Sequence, residues 1–149
     1  MIKIEFDEKN IKLFQKLNDK KIPLCSHLGL RPQFINKKCE FRIYGRTEKE
    51  KSEIIRNALL AEKHGAKIIL LECVSTSVVK KLRTLLKIPI IGIGSGDNCD
   101  GQIIVSYDLL GISFNRLPKF IQKNYICRNV LEKNIKDYIN MIKRLPDKC

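Results

Sequence analysis

The sequence lacks any long apolar stretch. A helix that crosses a membrane needs about 20 consecutive apolar residues, and no segment of the 149-residue chain approaches that length. Low-complexity tracts are missing too, and the amino terminus, where Lys3 and Glu5 alternate with isoleucines, does not have the pattern of a signal peptide. We therefore expect no membrane partner, and a cytoplasmic, globular protein that forms a single domain over residues 1–149.

Closely spaced cysteine pairs are also missing. The sequence contains no C-x-x-C pair, and its six cysteines are Cys25, Cys39, Cys73, Cys99, Cys127 and Cys149. Structural zinc sites use paired thiolates, and disulfide scaffolds are shorter chains that are denser in cysteine. The spacing therefore favours free thiols in a reducing compartment.

Acidic residues are few, with 16 Asp and Glu against 29 Lys and Arg and a formal net charge of +13. A basic chain can bind nucleic acid by neutralising its phosphates. Here the basic residues are spread along the chain, and no block of Lys and Arg is longer than two. The sequence also has no aromatic RNA-binding motif and no recognition-helix signature, so a basic nucleic-acid-binding domain is the less favoured interpretation.

The chain does contain four short apolar runs, each of which ends in a polar or glycine-rich cluster. They occupy residues 1–5, 22–27, 68–72 and 88–94. A buried parallel strand is apolar on both faces, so its sequence is a short continuous run. In folds built from such strands, the functional residues lie just past the carboxyl ends of the strands. The runs therefore predict strands whose ends carry an enzyme site.

Helical patterns separate and follow these runs. They are predicted over residues 8–19, from a capping box at 47–50, after a cap at Ser75 or Thr76, and over 118–125 and 131–142. Residues 28–46 form a long irregular segment of the kind that serves as a binding loop. Repeated strand–helix units imply a parallel sheet with right-handed crossovers. Residues 99–102 have the pattern of a turn that leads into a short apolar run at 103–105, so four or five strands are expected in all. This number is lower than the eight of a closed barrel, so the prediction is an α/β fold, either an open sheet or part of a barrel.

Glu72 is the first candidate for chemistry. Branched apolar residues precede it, and Cys73 and Val74 follow it. A carboxylate in such surroundings either pairs with a neighbouring Lys or Arg or acts as a general base. The local sequence favours neither alternative over the other.

His27, Lys3 and Glu5 are further candidates. His27 ends the second run and can carry a proton, bind a ligand or donate an oriented hydrogen bond, although a lone histidine is as often structural. Lys3 and Glu5 are two residues apart, so they face the same side of their strand and could hold an anion and a cation. The glycines of the fourth run follow G-x-G-x-G, which is not the dinucleotide fingerprint, and they favour a tight turn over a phosphate cradle.

Five ordered segments carry a resemblance to a known family. They are PLCSHLGLRPQ at 23–33, YGRT at 44–47, LECV at 71–74, IIGIGSG at 90–96 and DGQ at 100–102. In this order and spacing the chain resembles ketopantoate hydroxymethyltransferase from residue 1 to about residue 125. The resemblance implies a (β/α)8 barrel of the TIM type, bound Mg2+, and an enzyme of pantothenate biosynthesis. It also implies hydroxymethyl transfer from 5,10-methylenetetrahydrofolate to 3-methyl-2-oxobutanoate, giving 2-dehydropantoate (ketopantoate).

The resemblance also implies roles for single residues. Glu72 corresponds to the catalytic base, Lys3 and His27 to residues of the substrate pocket, and Glu5 to a metal ligand. The chain resembles the carboxyl-terminal portion of the barrel, starting at the fourth strand, without the family's two metal-binding aspartates and a substrate-binding serine. We therefore expect an incomplete site that is inactive in the isolated chain. The alternatives are one half of a split enzyme, a homo-oligomer that compensates for the missing strands, or a non-catalytic remnant.

Overall fold

A computed structural model describes residues 1–31, 42–113, 120 and 127–143 of the chain. The chain divides into two compact units, Met1–Ile103 and Ile104–Cys149. The first unit contains every strand of the described residues, together with the helices that separate the strands along the chain. The single domain expected over the whole length stays a prediction.

The first unit is an α/β sheet of five strands with helical connections. The strands are β1 (Ile2–Glu5), β2 (Leu24–Gly29), β3 (Ala66–Glu72), β4 (Ile90–Ile93) and β5 (Gly101–Gln102). A 3-10 turn (Glu8–Asn10) precedes α1 (Ile11–Asp19), and the next helices are α2 (Glu48–Lys63) and α3 (Thr76–Leu85). The second unit contains α4 (Ser106–Leu109) and α5 (Arg128–Lys143).

The strands lie in the order β1-β2-β3-β4-β5, and every neighbouring pair is parallel. Each new strand is therefore added on the same side of the preceding one. This order is that of a (β/α)8 barrel, whereas a doubly wound sheet reverses direction partway. The prediction of an α/β fold with four to five parallel strands is confirmed, and the sheet fits part of such a barrel.

The position of one strand differs from the sequence-based expectation. β5 lies at Gly101–Gln102, within the expected turn, and not in the apolar run at 103–105. The reason is a pair of contacts beside it: Asp100 N–H donates to the Ile90 carbonyl, and the Asp100 carboxylate accepts from Ile90 N–H, both at 2.8 Å.

The helix expected over 131–142 is confirmed within α5. The one expected over 118–125 falls, apart from Phe120, outside the described residues.

The capping box that opens α2 is confirmed in a modified form. The Thr47 hydroxyl accepts from Glu50 N–H at 3.2 Å, as a capping residue does. The Glu50 carboxylate reaches the N–H groups of Gly45 and Arg46 rather than that of Thr47. Ser75 occupies the N-cap position of α3, but its hydroxyl donates to the Gly45 carbonyl instead of capping the helix.

The core lies between the sheet and the helices α1, α2 and α3. Its largest fully buried side chains include Phe6, Phe14, Leu24, Ile69, Leu71, Val78, Val79, Leu82 and Ile90. Because side chains alternate along a strand, the neighbouring positions face away from these helices. That opposite face carries Lys3, Glu5, His27 and Glu72. Among the described residues, no helix has the length and apolar character required to cross a membrane.

Candidate active site

Strand register brings three titratable side chains to one edge of the sheet. Glu5 is paired with His27 across β1 and β2, and His27 is paired with Leu70 across β2 and β3. Glu72 lies two residues beyond Leu70, and its side chain therefore projects from the same face of the sheet. The structure thus brings Glu5, His27 and Glu72 together at the carboxyl ends of three neighbouring strands.

His27 lies between the two carboxylates. Its Nδ1 is 2.5 Å from Glu5 Oε1, and its Nε2 is 3.1 Å from Glu72 Oε2. The imidazole is completely buried, while the side chains of Glu5 and Glu72 are 25% and 16% exposed to solvent, respectively. The Nε2 contact has the length of an ion pair but not the angles of a hydrogen bond, and within the described part of the chain Nε2 has no other partner. The hydrogen bond of the ring is therefore the one between Nδ1 and Glu5.

Lys3 joins the same group from the solvent side. Its Nζ lies 3.7 Å from Glu5 Oε1, and about half of its side chain is exposed. This contact confirms that Lys3 and Glu5 face the same side of β1. All four residues singled out from the sequence, Lys3, Glu5, His27 and Glu72, are therefore in one cluster.

The backbone around Glu72 is held by contacts from two other segments. The Glu72 carbonyl accepts from Leu30 N–H at 2.8 Å, and the next residue, Cys73, donates to the Ile93 carbonyl at 2.9 Å. Cys73 has a φ of 51° in the left-handed region, which is costly for any residue other than glycine. Since the surrounding contacts enforce this conformation, they also fix the direction in which Glu72 leaves the strand.

Ser95 completes this support, and the sequence analysis did not identify it. Its buried hydroxyl donates to the Leu71 carbonyl at 2.8 Å and accepts from Val74 N–H at 3.0 Å. The two bonds bridge the turn that contains Glu72 and Cys73. Ser95 lies within the glycine run, so its presence in G-I-G-S-G was the only signal that could have drawn attention to it.

The surroundings of the cysteine beside Glu72 disfavour the thiolate form. Burial, together with the negative charge of Glu72, raises the pKa of the Cys73 thiol to about 11. Burial also raises the pKa of Cys25, which is the register partner of Lys3 across β1 and β2. Reactive cysteines have a lowered pKa, so these thiols are structural.

Arg31 is a second residue that the sequence analysis missed. It follows β2, and its Nε lies 3.7 Å from Glu5 Oε2. Its Nη2 donates to the Phe6 carbonyl at 2.8 Å, and its Nη1 is 4.0 Å from Asp7 Oδ2. Nothing in the local sequence of Arg31 points to Glu5, which lies 26 positions earlier.

The described residues do not by themselves fit the magnesium ion that the resemblance implies. Glu5 Oε2 is buried without a hydrogen-bond partner among them, which leaves one lone pair for a cation. Three basic or potentially basic groups surround the same carboxylate, however, from Lys3, His27 and Arg31. In the described ranges no group of three or more His, Cys, Asp or Glu side chains could hold a metal ion. Divalent sites need several oxygen ligands, so Glu5 alone would hold such an ion only weakly.

A cavity of about 710 Å³ lies beside this cluster but does not contain it. Its walls include Arg31, Arg42, Tyr44 and Glu50, and none of Glu5, His27 and Glu72 is among its lining residues. Arg31 therefore contacts both the cavity and the titratable cluster. Among the described residues, the cluster brings carboxylates into contact with a buried imidazole, so the cluster, rather than the cavity, is the candidate for acid–base chemistry.

The sequence of the chain is similar to those of known proteins over nearly its whole length. A family model described as ketopantoate hydroxymethyltransferase matches residues 1–146. The chain is 41% identical over 144 residues to the 3-methyl-2-oxobutanoate hydroxymethyltransferase of Buchnera aphidicola subsp. Schizaphis graminum (strain Sg), a match covering 96% of this chain and 54% of the relative. The protein of the same name in Aliivibrio fischeri (strain MJ11) is 42% identical over 142 residues, covering 92% and 53%. That of Vibrio parahaemolyticus serotype O3:K6 is 37% identical over 145 residues, covering 94% and 54%.

The similarity covers the whole candidate site but only part of each relative. The match to the family model includes β1, β2 and β3, from which Glu5, His27 and Glu72 project. The chain spans about half the length of the curated relatives that it matches. The resemblance stated from the sequence motifs is confirmed, and the chain belongs to the ketopantoate hydroxymethyltransferase family.

Proposed function

We propose that the chain provides the proton-abstracting part of a hydroxymethyltransferase site that acts in pantothenate biosynthesis. The proposed reaction joins 3-methyl-2-oxobutanoate, 5,10-methylenetetrahydrofolate and water to give 2-dehydropantoate and tetrahydrofolate. The observation that carries the proposal is the position of Glu72, which projects from a strand end and is linked to Glu5 through the buried imidazole of His27. Membership of the family supports it.

Glu72 is the proposed base. The proton on C3 of the 2-oxo acid is acidic because the neighbouring ketone accepts the electron pair that remains when the proton leaves. A carboxylate at the sheet edge can take this proton, and the resulting enolate carbon can then bond to the one-carbon unit. The alternative role, an ion pair with Lys or Arg, finds no such partner for Glu72 in the described residues; its ion-pair contact there is with His27.

Lys3 and His27 are proposed to assist Glu72 in different ways. The half-exposed ammonium group of Lys3 could contact the carboxylate or the developing enolate oxygen of the substrate, where a positive charge stabilises the transition state. The complete burial of His27 supports a positioning role between the two carboxylates. A direct contact between His27 and the substrate stays a prediction from the family resemblance.

Magnesium belongs to this proposal only together with ligands that the described residues do not supply. Glu5 remains the proposed ligand of this chain, because its Oε2 is buried and without a hydrogen-bond partner among those residues. Further oxygen ligands would have to come from another polypeptide segment or another copy of the chain.

The sheet supports the proposal that the active form is an assembly. In the described residues β1 pairs only with β2 and β5 pairs only with β4, so each of these strands has an open edge. Open strand edges favour association with other strands. We propose either a partner segment that completes the barrel or a homo-oligomer. Four cysteines in the described residues are free, which supports a location of the protein in the reducing environment of the cytoplasm.

Hydrogen exchange at C3 of 3-methyl-2-oxobutanoate tests the proposal. The exchange into deuterated water is followed by NMR for the chain alone and for the chain mixed with the part of the Buchnera aphidicola relative that it does not match. We expect exchange in the mixture, little in the isolated chain, and none in a mixture made with Glu72→Gln. The matched control is Glu48→Gln, which removes the same charge from an exposed carboxylate on α2.

Two results would contradict the proposed role of Glu72. One is exchange that continues at an unchanged rate in Glu72→Gln. The other is the absence of exchange in a mixture that circular dichroism shows to be folded and size-exclusion chromatography shows to be associated. Rapid exchange by the isolated chain would instead contradict the expectation that the site is incomplete.

A further inference from the structure

Glu5 Oε2 is a buried carboxylate oxygen that has no hydrogen-bond partner among the described residues. The cationic group that faces it is the guanidinium of Arg31, whose Nε lies 3.7 Å away. We propose that Arg31 takes the position of a divalent cation at Glu5, so that the chain neutralises this carboxylate with its own side chain. The inference rests on the proposed function, in which Glu5 is the metal ligand contributed by this chain, and it adds that an ion could bind at Glu5 only by displacing the guanidinium of Arg31.

Three contacts hold Arg31 at the end of β1. Besides Nε at Glu5, its Nη2 donates to the Phe6 carbonyl at 2.8 Å, and its Nη1 lies 4.0 Å from Asp7 Oδ2. Phe6 is itself fixed, because its N–H donates to the His27 carbonyl at 3.1 Å. The guanidinium group is planar and rigid, so contacts to three successive residues determine its orientation. Arg31 is thus directed toward Glu5 by the backbone and not by one exposed ion pair.

The positively charged groups around Glu5 also support the proposed role of Arg31. Its other oxygen, Oε1, is within 3.7 Å of Lys3 Nζ and within 2.5 Å of His27 Nδ1. A divalent ion on Oε2 would have to displace the guanidinium of Arg31 or bind close beside it. Repulsion between a double and a single positive charge at such a separation weakens binding by at least about tenfold even in water. Arg31 therefore acts as a specificity-determining residue against divalent cations at this carboxylate.

Binding of Mn2+ tests this proposal without any enzymatic assay. Mn2+ prefers the same hard oxygen ligands as Mg2+, and its binding is measured by the relaxation of water protons. We expect Arg31→Gln, which keeps a hydrogen-bond donor but loses the charge, to bind Mn2+ at least about tenfold more tightly than the parent chain. The gain should disappear when Glu5→Gln is added. Arg31→Lys keeps the charge and should remain weak.

A matched control separates this local effect from the change in net charge. Arg83→Gln removes the same charge from a pair with Asp100 at 2.8 Å, beside β5 and at the opposite end of the sheet from β1, and we expect the Mn2+ affinity of the parent chain. Circular dichroism verifies the fold of each variant, and Arg31→Ser replaces Arg31→Gln if the latter does not fold.

Equal Mn2+ affinity in the parent chain and the neutral variant would overturn the proposal, and so would the absence of saturable binding in both. A gain that persists after Glu5→Gln would also overturn it, because the ion would then bind elsewhere. Proton exchange from substrate is not part of this test. A chain that fails as a hydroxymethyltransferase can therefore still support or refute the role of Arg31.

Discussion

His27 Nδ1 lies 2.5 Å from Glu5 Oε1, although 22 residues separate the two in the chain. They meet because β1 and β2 are parallel neighbours in which Glu5 and His27 are register partners. The opposite nitrogen of the same ring is 3.1 Å from Glu72 Oε2. One buried imidazole thus connects carboxylates from two strands that are not themselves adjacent, and it makes the position of each carboxylate depend on the other.

Replacement of His27 should therefore be costly. In His27→Asn the two carboxylates lose their shared partner while the surrounding side chains remain packed. We expect a loss of about 2–4 kcal/mol in the free energy of unfolding, because removing one member of a buried polar network leaves the others uncompensated. Urea unfolding at neutral pH measures it. His64→Asn is the control, since His64 caps the end of α2 and makes only a 3.4 Å contact with Gln15; equal losses in both variants would contradict the role of His27.

Ser95 should affect the turn after Glu72. In Ser95→Ala the buried N–H of Val74 and the carbonyl of Leu71 lose the hydroxyl that bridges them. We expect the free energy of unfolding to fall by about 1–3 kcal/mol, the usual cost of leaving a buried polar group without a partner. Ser77→Ala, which removes an exposed hydroxyl at the start of α3, should change it by less than about 0.5 kcal/mol. A Ser95→Ala chain as stable as Ser77→Ala would show that the bridge does not support this turn.

The strands and their functional ends could be predicted from the sequence because they depend on local composition. Buried parallel strands leave continuous apolar runs, and Glu72 stands out as the first charge after such a run. The same local logic identified the capping box before α2, where donor and acceptor are only three residues apart.

The contacts within the site could not be predicted, because they depend on register and on loop conformation. The 2.5 Å contact between His27 and Glu5 exists because β1 and β2 pair in the register that places these two residues side by side. A shift of one residue would separate them, and the local sequence does not encode this register. Arg31 meets Glu5 because its side chain, two residues past the end of β2, reaches across to the residues at the end of β1. The fifth strand was expected at the apolar run 103–105, but β5 lies just before it for a similar reason. The side chain of Asp100, rather than apolar character, brings that segment beside β4.

Gly29 should tolerate no side chain. Its φ is +99°, and a Cβ there would overlap the Glu72 carbonyl oxygen and the side chain of Val74. We expect Gly29→Ala to lower the free energy of unfolding by about 2–4 kcal/mol, because backbone strain and overlap with a rigid carbonyl add together. Gly101→Ala is the control: its Cβ would meet only the flexible end of Ile91, and the loss should stay below about 1 kcal/mol. Similar losses at both glycines would contradict this account.

Glu50 should give the chain a distinct dependence of stability on acidity. A hydrogen bond from Arg42, whose Nη2 lies 2.8 Å from Oε1, is the largest cause that lowers the pKa of Glu50 from 4.5 to about 2. The N–H groups of Arg46 and Gly45 add to the effect, and desolvation opposes it. In the unfolded chain the ordinary pKa returns, so between these two values the unfolded state binds more protons than the folded state. The stabilising contribution is therefore complete above pH 4.5 and is lost as the pH falls toward 2.

Glu50→Gln should remove this dependence. At neutral pH we expect the variant to be less stable than the parent by about 1 kcal/mol, because the pair is partly exposed to solvent. The difference between the two chains should shrink as the pH falls below 4.5 and vanish near 2. Urea unfolding over this range measures it, with Glu48→Gln as a control that removes an exposed carboxylate paired with Lys51. A difference that stays constant down to the lowest pH would mean that protonation of Glu50 is not what couples folding to acidity here.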